Sequence, residues 1–187
     1  MLEYDDVTHE YKFKGAVIPS VTQVIPRPDF HMSEDRLKEK AEAGKERHSL
    51  IKMYHDTKDT FGDPLLIMLD EWEKENEYLT GKLIAYEVNL FSEKHKFAGR
   101  PDAIFEKAVV DFKSSWYGHH YNALQLSGYA LLAAENNYKG KKKRIVIYPG
   151  KKKMLMKNVD DEQADGIFLM LVKKWHMEQE IKKYYER

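Results

Sequence analysis

The 187-residue chain contains no cysteine. That excludes a disulfide framework, a thiolate zinc site and an iron–sulfur cluster. It also has no excess of charge of either sign, with 31 Lys and Arg against 31 Asp and Glu. Proteins that grip duplex DNA chiefly through phosphate charge are strongly basic, so neutrality argues against that class. An enzyme that touches few phosphates and releases after each turnover remains compatible with it. No apolar run approaches the length of a membrane span, and no signal-peptide-like apolar segment stands near Met1. The expectation is therefore a soluble, cytoplasmic protein with no membrane partner. Internal repeats, low-complexity tracts and linkers are missing as well. What is present is 42% hydrophobic residues with 12% aromatics, enough for one globular domain over residues 1–187 with its own core.

The stretch GRPDAIFEKAVVDFKSS, Gly99 to Ser115, holds the densest chemistry. It reads as two strands, FAGRPDAIFE and VVDFKSS, joined at Lys107–Ala108. Strand side chains two apart share a face, so Asp111 and Lys113 point together and Val110 and Phe112 point into the opposite layer. Asp102 can lie across from them if the strands pair as a hairpin. Two carboxylates and an ammonium gathered at the end of an apolar sheet are costly to desolvate. A divalent cation offsets that cost, and phosphate-ester hydrolysis is chemistry such a set performs.

Around this centre, residues 2–14 alternate in two runs about Asp5-Asp6, as a hairpin does. Ser20 and Gln23 have capping-box spacing, and Pro26 stops the short helix they open. From Ser33 to about Asp56 the pattern is helical, with Leu37, Ala41, Gly44, His48, Ile51 and His55 on one stripe. His48 can be a satisfied core histidine or a ligand, with Gly44 one turn earlier leaving room for close approach. Residues 64–79 form a second helix of core-packing type. LIAYEVNLFS (83–92) alternates as one strand, with Glu87 either an exposed carboxylate or a group facing the site. Ser92 to Lys96 is a turn with His95 in solvent. A helix begins near His119, and Gln125 and Tyr129, four apart, share one of its faces. Two strands and a last helix follow, about 160–183, capped by Asp160. Its apolar positions are Ala164, Ile167, Phe168, Leu171, Val172 and Trp175. Lysines 141–143 and 151–153 read as solvated hairpin ends, or as a surface that steers DNA.

Pro101-Asp102 followed by Asp111-Phe112-Lys113 resembles the signature of the PD-(D/E)XK nuclease superfamily. The ordered set His48, Glu87, Gly99 to Asp102, Asp111 to Lys113, then Gln125 and Tyr129 is similar to its RecB-like branch. IPSVT, Ile18 to Thr22, resembles a segment of mitochondrial genome maintenance exonucleases and their phage relatives. The likeness spans roughly residues 15–160. It implies an α/β fold, restriction-endonuclease-like, with a central mixed β-sheet flanked by helices. It further implies a metal-dependent DNA exonuclease, in a bacterial or phage-infected cell; the aromatics after the Asp111–Lys113 strand, with zero net charge, favour single-stranded DNA or frayed DNA ends as its substrate. A recombination or replication protein would be its partner. A sequence- or structure-specific endonuclease of the same fold, or a catalytically silent nucleic-acid-binding domain, are the alternatives.

On this resemblance His48, Asp102, Asp111 and the Phe112 carbonyl hold Mg²⁺ or Mn²⁺. Lys113 stabilises charge on the phosphorane, and Glu87 binds a second ion or positions water. Gln125 and Tyr129 contact the phosphate or order the strand. Arg100 and Ser114 would contact substrate; Trp116, Tyr117 and Tyr121, which follow directly on the Asp111–Lys113 strand, either stack on unpaired bases or pack in the core. Some relatives hold an iron–sulfur cluster, which a cysteine-free chain cannot, and the 187 residues carry no helicase motif.

Overall fold

The structure is a computed structural model that describes residues 2–5, 8, 10–26, 34–114, 116, 118–140 and 142–186. In chain order the first elements are β1 (Leu2–Asp5), β2 (Glu10–Phe13), β3 (Ala16–Ile18), α1 (Val21–Val24), α2 (Glu34–Thr57) and α3 (Pro64–Thr80). Then come β4 (Leu83–Tyr86), β5 (Leu90–Ser92), β6 (Phe97–Gly99), β7 (Ala103–Phe105) and β8 (Ala108–Phe112). The chain closes with α4 (His119–Glu135), β9 (Lys143–Pro149), β10 (Met154–Asn158) and α5 (Glu162–Tyr185).

A five-stranded mixed sheet in the order β10-β9-β8-β7-β4 is the centre of the molecule. Only β8 and β9 run parallel, joined over one face by α4; the other neighbours are antiparallel. A parallel pair cannot be closed by a tight turn, so a helix must make the crossover. Alternation along the strands builds two cores. Ile104, Val109 and Val146 face α1, α4 and α5, while Phe105, Val110, Phe112, Ile145 and Ile147 face α2 and α3. The expected mixed α/β architecture is thus present.

Local chemistry sets the element ends. Ser20 accepts from the Gln23 amide and the Gln23 side chain returns to the Ser20 amide, so the expected capping box forms. Asp63 accepts from the Leu65 and Leu66 amides with Pro64 behind it, and Gly81 closes α3 at a φ of 70°. α5 is capped by Asp161, not by Asp160 as the sequence suggested; the Asp160 carboxylate instead takes the Arg144 amide. Where α4 meets α5, a Cβ on Gly128 would lie 2.6 Å from Phe168 Cζ and 2.9 Å from Val21 Cγ1, so only glycine allows this spacing.

Several expectations are corrected. The N-terminal hairpin gains a third strand, β3. LIAYEVNLFS is not one strand: Glu87 adopts a φ of 45°, ending β4, and β5 pairs with β6 in a separate ribbon. FAGRPDAIFE likewise splits at Arg100–Asp102 into β6 and β7, because Pro101 has no amide to give a ladder. Gly44 faces open space, so it does not serve close packing. Ile167 is exposed. His95 is half-buried, 3.8 Å from Glu135. Lys142 is buried, its ammonium donating to the Phe105 and Glu106 carbonyls, while lysines 151–153 are exposed as expected. Ser33 and Lys141 lie outside the described residues.

Candidate functional site

The β7–β8 register pairs Ala103 with Val110, and one step further brings Asp102 to Asp111. The ladder stops there, and the Asp102 side chain replaces it: the Phe112 amide donates to Asp102 Oδ2 at 2.7 Å. The N–H and C=O of one strand residue leave on the same edge, so the Phe112 carbonyl faces the Asp102 side as well. Asp111 and Lys113 share the α4 face, as alternation requires. Lys113 Nζ donates to Asp111 Oδ1 at 3.0 Å and to Gln125 Oε1 at 3.1 Å. It also lies 2.8 Å from Asp111 Oδ2, off the hydrogen-bonding direction, so that buried oxygen has an ion-pair contact but no hydrogen bond.

Gln125 and Tyr129 do share a face of α4, and both are buried. The Gln125 amide donates to Asp111 Oδ1 at 3.1 Å and to the Tyr129 hydroxyl at 3.4 Å. From this position Gln125 braces Asp111 and Lys113, and Tyr129 braces Gln125. Gly99 makes this possible, since a Cβ there would lie 3.0 Å from the Tyr129 ring.

His48 reaches the same place from α2. Its Nδ1 donates to Glu87 Oε1 at 3.3 Å and stands 3.7 Å from Asp102 Oδ1. The Tyr86 hydroxyl pins the His48 carbonyl at 3.2 Å, and the Glu87 amide donates to the Asp102 carbonyl at 2.9 Å. The left-handed backbone at Glu87 is thereby held, and such strained residues cluster where function over-determines geometry. Sequence reasoning missed the Tyr86 anchor, for which alternation gives no signal. The site is a well with Asp111 at its floor, 3% exposed, and His48 at its rim, 30% exposed.

Electrostatics follow from that depth. Burial, with repulsion from Asp111, pushes the Asp102 carboxyl up to about 7. Burial works to lower the His48 imidazole, but the Glu87 hydrogen bond and the Asp102 charge outweigh it and the net shift is upward. The His48 bond in turn lowers Glu87 against its own burial. Burial also opposes charge on Lys113, yet Asp111 and Asp102 raise it, so it is an ammonium. Three carboxyl groups thus share one ammonium and one imidazole. Carboxylate oxygens, one of them without a hydrogen bond, plus an imidazole nitrogen suit a hard or borderline divalent cation. In this arrangement the donors satisfy one another, and among the described residues no three His, Asp or Glu side chains form a ready-made metal cage.

The remaining expected residues have separate settings. Arg100 stacks over Tyr4 at 5.4 Å and lines a cleft of about 160 Å³ with Ser20, Thr22 and Tyr129. Ser114 is exposed just beyond Lys113. Trp116 and Tyr121 are half-buried against the α4-side core, Trp116 with its ring 6.4 Å from Tyr148. Tyr117 lies outside the described residues.

No family model matches the chain, and no curated protein does. It is similar to a solved structure described as the crystal structure of SSO0001, at 20% identity over 86% of this chain and 75% of that one, with a TM-score of 0.45. Among the described residues no helix is long and apolar enough to cross a membrane.

Proposed function

We propose that this chain is a divalent-metal-dependent deoxyribonuclease of the RecB-like PD-(D/E)XK kind, an exonuclease acting on single-stranded or frayed DNA ends. The observation that supports it most is the convergence of His48 from α2, Glu87 after β4, Asp102 before β7, Asp111 of β8 and Lys113 just after it in one well. A chance tripeptide match would not draw in an imidazole and a glutamate from remote segments.

His48, Asp102, Asp111 and the Phe112 carbonyl are the donors for Mg²⁺ or Mn²⁺. Bound there, the ion would polarise the scissile phosphate and acidify a water. Lys113, fixed as an ammonium by Asp111 and Gln125, stabilises the negative charge that grows on the phosphorane oxygens. Glu87 at the rim orients the attacking water. Arg100 and Ser114 hold flanking phosphates, and Trp116 and Tyr121 stack unpaired bases, worth roughly 1–3 kcal/mol each. Zero net charge suits an enzyme that holds few phosphates.

The test compares wild type with Lys113→Ala on linear and circular, single- and double-stranded DNA, in Mg²⁺, Mn²⁺ or EDTA. Metal-dependent loss of linear single strands, sparing closed circles and abolished in the variant, is expected. Cleavage of circles would select an endonuclease. One observation favours a second reading, a catalytically silent nucleic-acid-binding domain: the donors are already paired with each other. Metal-independent DNA binding with no hydrolysis in Mn²⁺ would establish it.

A further inference from the structure

The strongest feature outside the well is the outer face of α5. This helix has 24 residues, about 36 Å of length. Its inner stripe, Ala164, Phe168 and Val172, is buried, with Trp175 packed on the core and His176 Nε2 donating to the Lys96 carbonyl at 3.0 Å. From Met177 on, every described residue but Gln179 is exposed, so the final turns project into solvent. A bare helical end of that kind is marginal on its own.

The outward stripe is not polar. Ile167, Met170, Met177, Ile181 and Tyr184 recur at alternating steps of three and four with Lys174 between, and their exposure runs from 42% to 76%. That is the a/d pattern of a two-helix seam, continuing from the body-bound half onto the projecting half.

We infer that α5 is a self-association surface: two copies of this chain pair their α5 helices antiparallel, each projecting end lying over the body-bound half of the other. Three features choose a second copy in this orientation. The stripe divides into three positions before residue 176 and three after it. Antiparallel pairing therefore matches Ile167 with Tyr184, Met170 with Ile181, and Lys174 with Met177, each twice. The flanks are complementary, because Lys173 of one copy comes beside Glu180 of the other, again twice. Parallel pairing instead sets Lys174 against Lys174. In the antiparallel seam that lysine lays its stem over methionine and keeps its ammonium towards Glu178, 3.7 Å away in the same chain. The seam is short, which suits a reversible dimer rather than an obligate one.

Sedimentation equilibrium of the full chain, from low micromolar to sub-millimolar concentration, tests this. Wild type is expected to pass from monomer to dimer. Met177→Glu with Ile181→Glu, both at exposed positions, is expected to weaken the dimer by about tenfold or more with unchanged circular dichroism. Because the chain has no cysteine, geometry can be read directly. Copies carrying Met170→Cys mixed with copies carrying Ile181→Cys should form a mixed disulfide faster than either forms one with itself. A monomer at every concentration, a double-glutamate variant that dimerises like wild type, or preferential Ile181→Cys self-linkage would each overturn the proposal.

Discussion

Two histidines two turns apart on α2 have opposite surroundings. His48 stands at the rim of the well between Glu87 and Asp102, and its imidazole is raised. His55 is sealed behind the sheet against Tyr54, Tyr86 and Phe112. Burial, with the charge of Lys58, drives its imidazole down to about 3. Its Nε2 lies 3.5 Å from Glu73 Oε1, and neither atom has a hydrogen bond. Helical phase places both rings on the packed side of α2. What separates them is what each ring meets: the Glu87 and Asp102 carboxyls beside β4 and β7, or the Tyr54, Tyr86 and Phe112 rings with the single Glu73 carboxyl.

The comparison can be broken in order of expected effect. Asp111→Ala, removing the floor of the well, should cut the proposed nuclease activity by about 10³-fold or more and abolish Mn²⁺ binding in calorimetry. Retained binding would show that the well is organised differently. His55→Ala should cost about 2–3 kcal/mol in denaturant unfolding through the cavity it leaves, while activity below the melting transition stays within about twofold. A large loss of activity would make the sealed histidine part of the chemistry. His48→Ala should do the reverse, weakening Mn²⁺ by about 10–100-fold with little change in unfolding midpoint.

The smallest effect is on pH, and its sign differs between the two rings. His55 has an ordinary value of 6.5 when unfolded and about 3 when folded. Its contribution is therefore complete above 6.5 and lost as pH falls towards 3. His48 is raised, so its contribution is complete below 6.5 and lost as pH rises through the folded value. Glu73, which faces His55, is raised by burial and opposes it on the acid side. His55→Phe removes only the first of these, and metal-free melting curves should show a flatter acid slope in that variant. An unchanged slope would place the neutral ring elsewhere.

Much of this was legible in the sequence because it is local. The Ser20–Gln23 box, the α3 start at Pro64, the α4 face shared by Gln125 and Tyr129, and the Asp111/Lys113 pairing follow from spacing alone. What escaped depends on contacts distant in the chain. Glu87 looked like a mid-strand carboxylate, yet it ends its strand in a left-handed turn, and only its meeting with His48, 39 residues earlier, explains it. Lys142 is one lysine among several in GKKKR until two carbonyls of the β7–β8 turn surround its ammonium. Ile167 has an apolar side chain in a helix with a real core face, and periodicity alone could not say that it points the other way.

The bare Cα of Gly128 carries a consequence for chemistry it never touches. Three residues from Gln125 and next to Tyr129, it lets the Phe168 ring of α5 seat directly on the α4 backbone. α5 supplies no group to the well, but it acts as a shim that fixes how deep the glutamine amide sits beside Asp111. Adding one methyl group at Gly128 would lift α4 off that shim and detune the ammonium from a distance, leaving every residue of the well in place by name.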